Sequence, residues 1–150
     1  MIFNMKKLLA LLLLSPLVAG EELESLYDYF DKNPYASDES ELDLFLYSSD
    51  KCSAITFLSI GGDNPDVEDI GDTFMYQAYS IRKIKSPEVD TDTRWSNTQD
   101  SIQKYFKEYE AHFLDFRKRT NSDELFTDLM KSDLKFCLEI LAAMKESEDE

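Results

Sequence analysis

The sequence predicts an all-α protein: an antiparallel bundle of about four long helices plus a short N-terminal helix, stapled by one disulfide. Three observations predict this class. Apolar side chains recur every three or four residues in each long segment, no stretch alternates as a β-strand would, and capping residues and prolines divide the chain into segments of helical length. Because 43% of the 150 residues are hydrophobic, we expect one packed domain rather than a disordered acidic chain.

Residues 1–20 have the pattern of a cleaved signal peptide. Lys6 and Lys7 form a positive start, a short apolar run follows, and small residues end the segment at Gly20. The apolar run is about half as long as the roughly 20 residues that a membrane span needs. We therefore expect an exported protein, periplasmic or extracellular, in which residues 21–145 form a single helical domain and residues 146–150 an acidic C-terminal tail.

The first two helices of the exported chain are predicted from an apolar stripe and from capping residues. The short helix, over about 21–31, carries its apolar residues on one face: Leu23, Leu26, Tyr27 and Phe30. Pro34 ends it. The second helix is predicted over about 38–60, since Asp38 and Glu41 have capping-box spacing and Gly61-Gly62 follows.

The remaining three helices are divided by prolines and capping residues. Asn64-Pro65 is predicted to start the third helix, and Ser86-Pro87 to end it. A polar loop over 86–93 and a capping box at Ser96 and Gln99 precede the fourth helix, which has the clearest apolar seam: Ile102, Phe106, Tyr109, Phe113 and Phe116. Asn121 and Glu124 are predicted to cap the last helix, whose wide apolar face indicates two packing partners.

Cys52 and Cys137 both fall on apolar helix faces. Because exported proteins meet an oxidising environment, we expect them to form a disulfide that stabilises the fold by about 4.5 kcal/mol in the chain-entropy model. The alternative is a pair of buried free thiols. In a simple antiparallel bundle with the predicted helix bounds, the two cysteines would be offset along the axis by about 9 Å, so the pairing requires staggered helices or different bounds.

The charge balance excludes two classes of partner. The chain has 31 acidic and 16 basic residues and a net charge of −15, and loss of Lys6 and Lys7 with the leader makes it −17. Phosphate backbones and anionic lipids repel such a surface, so nucleic acid and anionic membranes are not expected as partners. The basic run Arg117-Lys118-Arg119 stands at a predicted helix end, where we expect it to compensate the helix dipole; the alternative is a site for an anion or a partner.

His112 is the only histidine of the chain, and it is the first residue to consider for metal or base chemistry. Glu108 and Asp115 lie four residues before it and three after it, so the three side chains form a weak candidate metal site on one helical face. The competing interpretation is a boundary histidine paired with Glu108. A serine or cysteine hydrolase would need His112 as its base, and the sequence contains neither a GxSxG nor a CxxC motif. No catalytic residue and no cofactor is predicted.

The aromatic residues form two groups, each interpreted as the edge of a core or as a partner-binding surface. One group stands at the start of the exported chain: Tyr27, Tyr29, Phe30 and Tyr35. The other flanks the third helix and the loop after it: Tyr76, Tyr79 and Trp95.

The sequence favours a non-enzymatic protein-interaction module, inhibitor- or immunity-like, with a basic protein as the expected partner. The plan of an exported helical bundle with a cross-helix disulfide is similar, in architecture only, to that of periplasmic amidase-immunity proteins. The alternative is a small-molecule or metal carrier that uses the bundle interior. A hydrolase is the least supported class.

Overall fold

The structure is a computed structural model, and it describes residues 23–33, 37–59 and 65–148. This part of the chain contains five helices and no strand, so the predicted all-α bundle is confirmed. The helices are α1 (Leu26–Lys32), α2 (Asp38–Ser59), α3 (Pro65–Lys85), α4 (Thr91–Thr120) and α5 (Asp128–Glu148). The predicted signal peptide, the glycine pair at 61–62 and the predicted cap Asn64 lie outside the described residues.

The directions of the long helices follow from contacts between their side chains. Near its start α2 pairs through Asp43 with Lys85, at the end of α3, so these two helices are antiparallel. The ring of Tyr47 on α2 meets Tyr105 on α4 edge-on at 5.6 Å, and one turn later Lys51 meets Tyr109, so α2 and α4 run parallel. The directions of α2, α3 and α4 therefore alternate as in an up-down-up helix bundle.

The fifth helix runs back antiparallel to α4 and packs against α2 and α1. Nε2 of His112, late in α4, lies 3.0 Å from Oγ1 of Thr127, and Tyr109, one turn earlier, bonds Asp133 on α5. The short helix α1 packs on α5, where the rings of Tyr27 and Phe30 lie 5.0 and 4.9 Å from that of Phe136. Helix α2 therefore lies in the middle of the molecule, with the other four helices around it.

The centre of α2 is buried around its whole circumference. Every residue from Ser48 to Thr56 is buried, although polar and charged side chains outnumber apolar ones in this stretch. A helix with one partner buries one stripe, whereas a helix with four partners buries all of its faces. The small side chains of Ser48, Ser49 and Ser53 let neighbouring helices approach closely, and Ser53 donates a hydrogen bond to the carbonyl of Gly71 on α3 at 2.9 Å.

Two helix starts differ from the predicted ones because other residues provide the caps. At α4 the cap is Asp90, whose Oδ1 accepts from the Thr93 N–H at 2.9 Å, so the helix begins five residues before the predicted Ser96 and the loop is shorter than predicted. Asn121 does not start the last helix. It ends α4 in the left-handed conformation, with φ 50°, which asparagine tolerates better than most residues.

The late start of α5 also removes most of the predicted axial offset between the cysteines. Thr127 caps this helix, its Oγ1 accepting from the Met130 N–H at 3.2 Å. Because α5 begins at Asp128, Cys137 lies close to the helix midpoint, and the expected offset from Cys52 falls from about 9 Å to about 4 Å at 1.5 Å per residue. The two cysteines are disulfide-bonded, with Cα atoms 5.5 Å apart, and both are buried.

Helix α5 continues to Glu148, into the segment that the sequence predicted as an acidic tail. In the described part of the chain, no helix combines the length and apolar character that crossing a membrane requires.

Candidate functional site

The three residues of the weak candidate metal site are not brought together. Nε2 of His112 faces the Thr127 hydroxyl at 3.0 Å, across the α4–α5 junction. Glu108 lies 3.9 Å from Lys104, and Asp115 bonds Arg119 at 2.7 Å, each within α4. Among the residues that the structure describes, no group of three or more histidine, cysteine or carboxylate side chains is placed to hold a metal ion. The position of His112 is that of a side chain joining two helices.

The first aromatic group is part of the core. Tyr27 and Phe30 contact Phe136, and the ring of Tyr29 stacks on that of Tyr47 at 3.8 Å. The Tyr27 hydroxyl donates to Glu139 at 2.6 Å, and this bond to a carboxylate raises the pKa of the tyrosine to about 12. These contacts fix α1 on α2 and α5. Tyr35 lies outside the described residues.

A cluster of charged and polar groups lies at the centre of the bundle, next to the disulfide. Lys51 on α2 and Asp133 on α5 are both fully buried, with Nζ and Oδ2 3.6 Å apart. The Tyr109 hydroxyl of α4 donates to the same carboxylate oxygen, and the backbone N–H of Leu26 donates to Oδ1 at 2.7 Å. Lys51 donates to the Glu24 carbonyl at 2.8 Å, so α1, α2, α4 and α5 all meet at this pair.

Burial sets the electrostatics of the cluster. Loss of water lowers the pKa of Lys51 and raises the pKa of Asp133, and the opposite charge of each partner counteracts the change. The Lys51 ammonium is also held between the rings of Tyr47 and Tyr109, at 5.3 and 5.2 Å from their centroids. Burial and the neighbouring Asp133 raise the pKa of Tyr109 well above its ordinary value, so its proton stays in place. The arrangement is suited to joining helices, since its groups are closed off from solvent.

A second charged cluster joins α2, α3 and α4. Arg82 holds Asp50 with two parallel hydrogen bonds of 2.9 and 2.6 Å, and the Ser101 hydroxyl donates to Asp50 Oδ2 at 2.6 Å. Asp50 is buried. Its charge is well compensated there, because the carboxylate accepts two parallel hydrogen bonds from Arg82 and a third from Ser101.

The second aromatic group lies on the surface of the α3–α4 hairpin. The ring of Trp95 stacks on Tyr79 at 4.2 Å and meets Tyr76 edge-on at 5.3 Å. Beneath them the buried Arg94 guanidinium lies 5.5 Å from the Tyr79 ring and donates to the Tyr79 hydroxyl at 3.3 Å, which lowers the pKa of that hydroxyl. Tyr76 remains 58% exposed. We call Tyr76, Tyr79 and Trp95 the aromatic surface.

Carboxylates lie on both sides of the aromatic surface. Glu68 and Asp72 stand eight and four residues before Tyr76 on α3, and therefore on the same helical face. Asp92 stands three residues before Trp95 on α4. Lys83, four residues after Tyr79 on α3, is exposed and contributes with Arg94 to the lowered pKa of Tyr79. A rigid aromatic centre with carboxylates on its border is the type of surface found at the centre of protein–protein interfaces.

Large side chains occupy the centre of the bundle between the helices. The largest fully buried ones include Tyr109, Lys51, Phe74 and Leu26, and they surround the disulfide. Two depressions described on this part of the chain are open to solvent. One runs along α4 between Asp100 and Ala111, and the other lies between α2, α3 and the start of α4.

Sequence reasoning missed the residues that organise the centre of the bundle. Nothing in the sequence marks Lys51 and Asp133 as buried, since lysine and aspartate residues on long helices are usually exposed to solvent. The one available indication was the setting of Lys51, among small side chains and next to a cysteine on a buried face. Tyr109 was placed correctly in the apolar seam of α4, and it is fully buried.

Comparison with protein-family models, with curated proteins and with solved structures finds no match to this chain.

Proposed function

We propose that this chain is an exported, non-enzymatic protein-interaction module that binds a basic protein partner, in the manner of an inhibitor or immunity protein. The observation that carries the proposal is the aromatic surface. Tyrosine and tryptophan are the residues most often found at the energetic centre of protein interfaces, together with arginine. Tyr76, Tyr79 and Trp95 are held rigid by one another and by Arg94, so little side-chain entropy would be lost on binding.

The distribution of charge supports a basic partner. Three cations of the chain, Lys51, Arg82 and Arg94, are buried or nearly so and bond groups inside the molecule. The acidic excess of the sequence therefore lies on the surface, including the border of the aromatic surface. Complementary charge accelerates the encounter of two proteins and suppresses binding of acidic competitors.

Export is the second component of the proposal, and it rests on the leader pattern of residues 1–20. A buried disulfide that closes a long loop is typical of proteins from oxidising compartments, and the Cys52–Cys137 bond agrees with that location. Both depressions described above are open to solvent and neither lies inside the bundle, which favours the interaction hypothesis over a carrier that uses the bundle interior.

The test is affinity capture from the native host with two variants of the full exported chain. Wild-type protein should retain one specific basic protein at low salt and release it as ionic strength rises. The variant Tyr76→Ala should lose most of this binding, because Tyr76 is a highly exposed member of the aromatic surface and its removal leaves the core unchanged.

The matched control is Leu138→Ala. Leu138 is 54% exposed, close to the value for Tyr76, and lies on α5, which packs on α1 and α2. This variant should bind as the wild type does. Capture of no specific partner, or equal losses in the two variants, would refute the proposed surface.

A further inference from the structure

The depression between α2, α3 and the start of α4 is lined by positive charge, although the chain as a whole is strongly acidic. Its charged lining residues are all cations: Arg82, Lys85 and Arg94. No carboxylate lines it, although the chain contains 31 acidic and 16 basic residues. Asn97 adds an amide donor, and Leu46 and Val89 add apolar surface. We call this depression the cationic cleft.

Arg94 is the buried component of the cleft. The residue is 5% exposed, and its Nη2 donates to the carbonyls of Ser86, Pro87 and Val89, which form the loop between α3 and α4. Its Nε has no hydrogen-bond partner in the described part of the chain. The hydrogen bonds of Arg94 go to neutral oxygens, so no carboxylate bonded to it in the described part of the chain offsets its positive charge.

Arg82 and Lys85 supply donors that their partners do not use. Arg82 bonds Asp50 through one N–H on each terminal nitrogen, and a guanidinium has five N–H groups. Lys85 bonds Asp43, whose side chain is 58% exposed, and an ammonium has two further protons to donate. The three cations are thus opposed by two carboxylates, so the cleft keeps a formal excess of one positive charge.

From these observations we propose that the cationic cleft binds a small organic carboxylate. The carboxylate would be held by Lys85 and Arg82, with Asn97 at its side, and a short aliphatic body would cover Leu46 and Val89. The cleft has a volume of about 200 Å³, which suits a ligand of a few carbon atoms. The apolar floor distinguishes such a ligand from inorganic phosphate, which has no apolar part to bury.

The experiment is titration of the full exported chain, followed by NMR shifts of the backbone amides of residues 82–97, with butanoate as the probe. About 0.15 M salt reduces the repulsion from the distant acidic residues, because the screening length is then about 8 Å, and leaves the short-range attraction of the cleft. Butanoate should bind saturably. Its neutral counterpart butanamide and inorganic phosphate should each bind at least roughly tenfold more weakly.

Two substitutions in the last turn of α3 provide the matched comparison. Lys85→Gln should weaken butanoate binding roughly tenfold, since it removes one charge-assisted hydrogen bond. Lys83→Gln removes the same charge from the same turn at an exposed position that does not line the cleft, and it should leave the affinity unchanged. Asn97→Asp places a carboxylate at an exposed position in the cleft without disturbing an ion pair, and it should abolish binding.

Absence of saturable butanoate binding by the wild type would overturn the proposal. Equal effects of the two lysine substitutions would also overturn it, because binding would then depend on general charge rather than on the cleft. Phosphate binding as strong as that of butanoate would refute the organic class of the ligand. Variant Tyr76→Ala should bind butanoate normally, which separates this site from the proposed partner surface.

Discussion

Replacement of Asp133 by asparagine tests whether the buried Lys51–Asp133 pair carries its charge inside the bundle. In Asp133→Asn, the ammonium of Lys51 keeps the Glu24 carbonyl and the two aromatic faces and loses its only buried counter-charge within the described cluster. Removing one partner of a buried ion pair typically costs about 3–5 kcal/mol of folding free energy.

The structure sets an upper limit on this loss. Lys51 can escape the unpaired state by losing its proton on folding, at about 1.36 kcal/mol for each pH unit below its ordinary pKa of 10.5. The limit is therefore about 5 kcal/mol at pH 7 and about 2 kcal/mol at pH 9. Because the folded-state pKa of this lysine is lowered, stability is lost at low pH and recovered as pH rises towards 10.5.

The assay is urea unfolding of wild type and variant, followed by circular dichroism, at pH 7 and at pH 9 with the disulfide intact. We expect Asp133→Asn to lose about 3–5 kcal/mol at pH 7 and markedly less at pH 9. The double variant Lys51→Met/Asp133→Asn should be more stable than Asp133→Asn, because it removes the unpaired buried ammonium while the amide oxygen at position 133 still accepts a hydrogen bond from the Leu26 N–H. A loss of the same size at both pH values, or below about 1 kcal/mol at pH 7, would refute the reasoning.

Three further predictions concern the disulfide, a buried tyrosine and one glycine. The double variant Cys52→Ala/Cys137→Ala should lose about 4.5 kcal/mol in urea unfolding, since the bond closes a loop with a sequence separation of 85; an unchanged midpoint would contradict this. Burial raises the pKa of Tyr105 from 10.0 to about 12, so its contribution to stability is present below pH 10 and lost as pH rises towards 12. Tyr105→Phe should therefore show a smaller alkaline loss of stability by circular dichroism, and identical pH profiles would exclude this residue as a cause. A Cβ at position 71 would lie 2.8 Å from Cε1 of Phe57. Gly71→Ala should therefore lower the free energy of unfolding by about 1–2 kcal/mol, after allowance for the gain in helix propensity. Adding Phe57→Leu should restore the lost stability, and failure to do so would show that the strain lies elsewhere.

Helix content and the succession of helices along the chain could be predicted from the sequence, because periodicity and proline positions are local signals; the arrangement of the helices in the bundle could not. The bounds of α3 agree with the prediction at both ends, since Pro65 and Pro87 restrict the backbone directly. The start of α2 at Asp38 also agrees, although the cap is Ser37, whose Oγ accepts from the Ser40 N–H at 3.2 Å. A one-residue difference of this kind arises because several polar residues at a helix start can fill the same role.

The α4–α5 junction was predicted incorrectly because asparagine is ambiguous between two roles. Asn121 is a good N-cap and also a good left-handed C-cap, and sequence alone does not separate them. The structure uses Asn121 to end α4 and Thr127 to start α5, which moves the last helix by about six residues. The same shift places Cys137 opposite Cys52. The disulfide was thus a better guide to the register of the bundle than the capping residues were.

The aromatic surface was a candidate from its composition, whereas its exposure depends on tertiary contacts. Tyr27 and Tyr76 both stand in helices near other aromatic residues, yet Tyr27 packs on Phe136 and Tyr76 faces solvent. The difference is that α1 covers the face of α5, and no helix in the described part of the chain covers that face of the α3–α4 hairpin. Periodicity predicts which face of a helix is apolar and leaves open which neighbour covers it.

The buried cations explain how so acidic a chain keeps its helices together. Lys51 joins α2 to α5 and to the residues before α1, Arg82 joins α3 to α2, and Arg94 joins α4 to the preceding loop. A carboxylate would be unsuited to Lys51's and Arg94's positions, because only a donor can bond the backbone carbonyls that converge there. The few cations are thus used where elements meet, and carboxylates without such a role remain at the surface. A basic partner would therefore meet a surface that is mainly acidic. Neutralising surface carboxylates should weaken partner binding and leave the contacts between the helices intact.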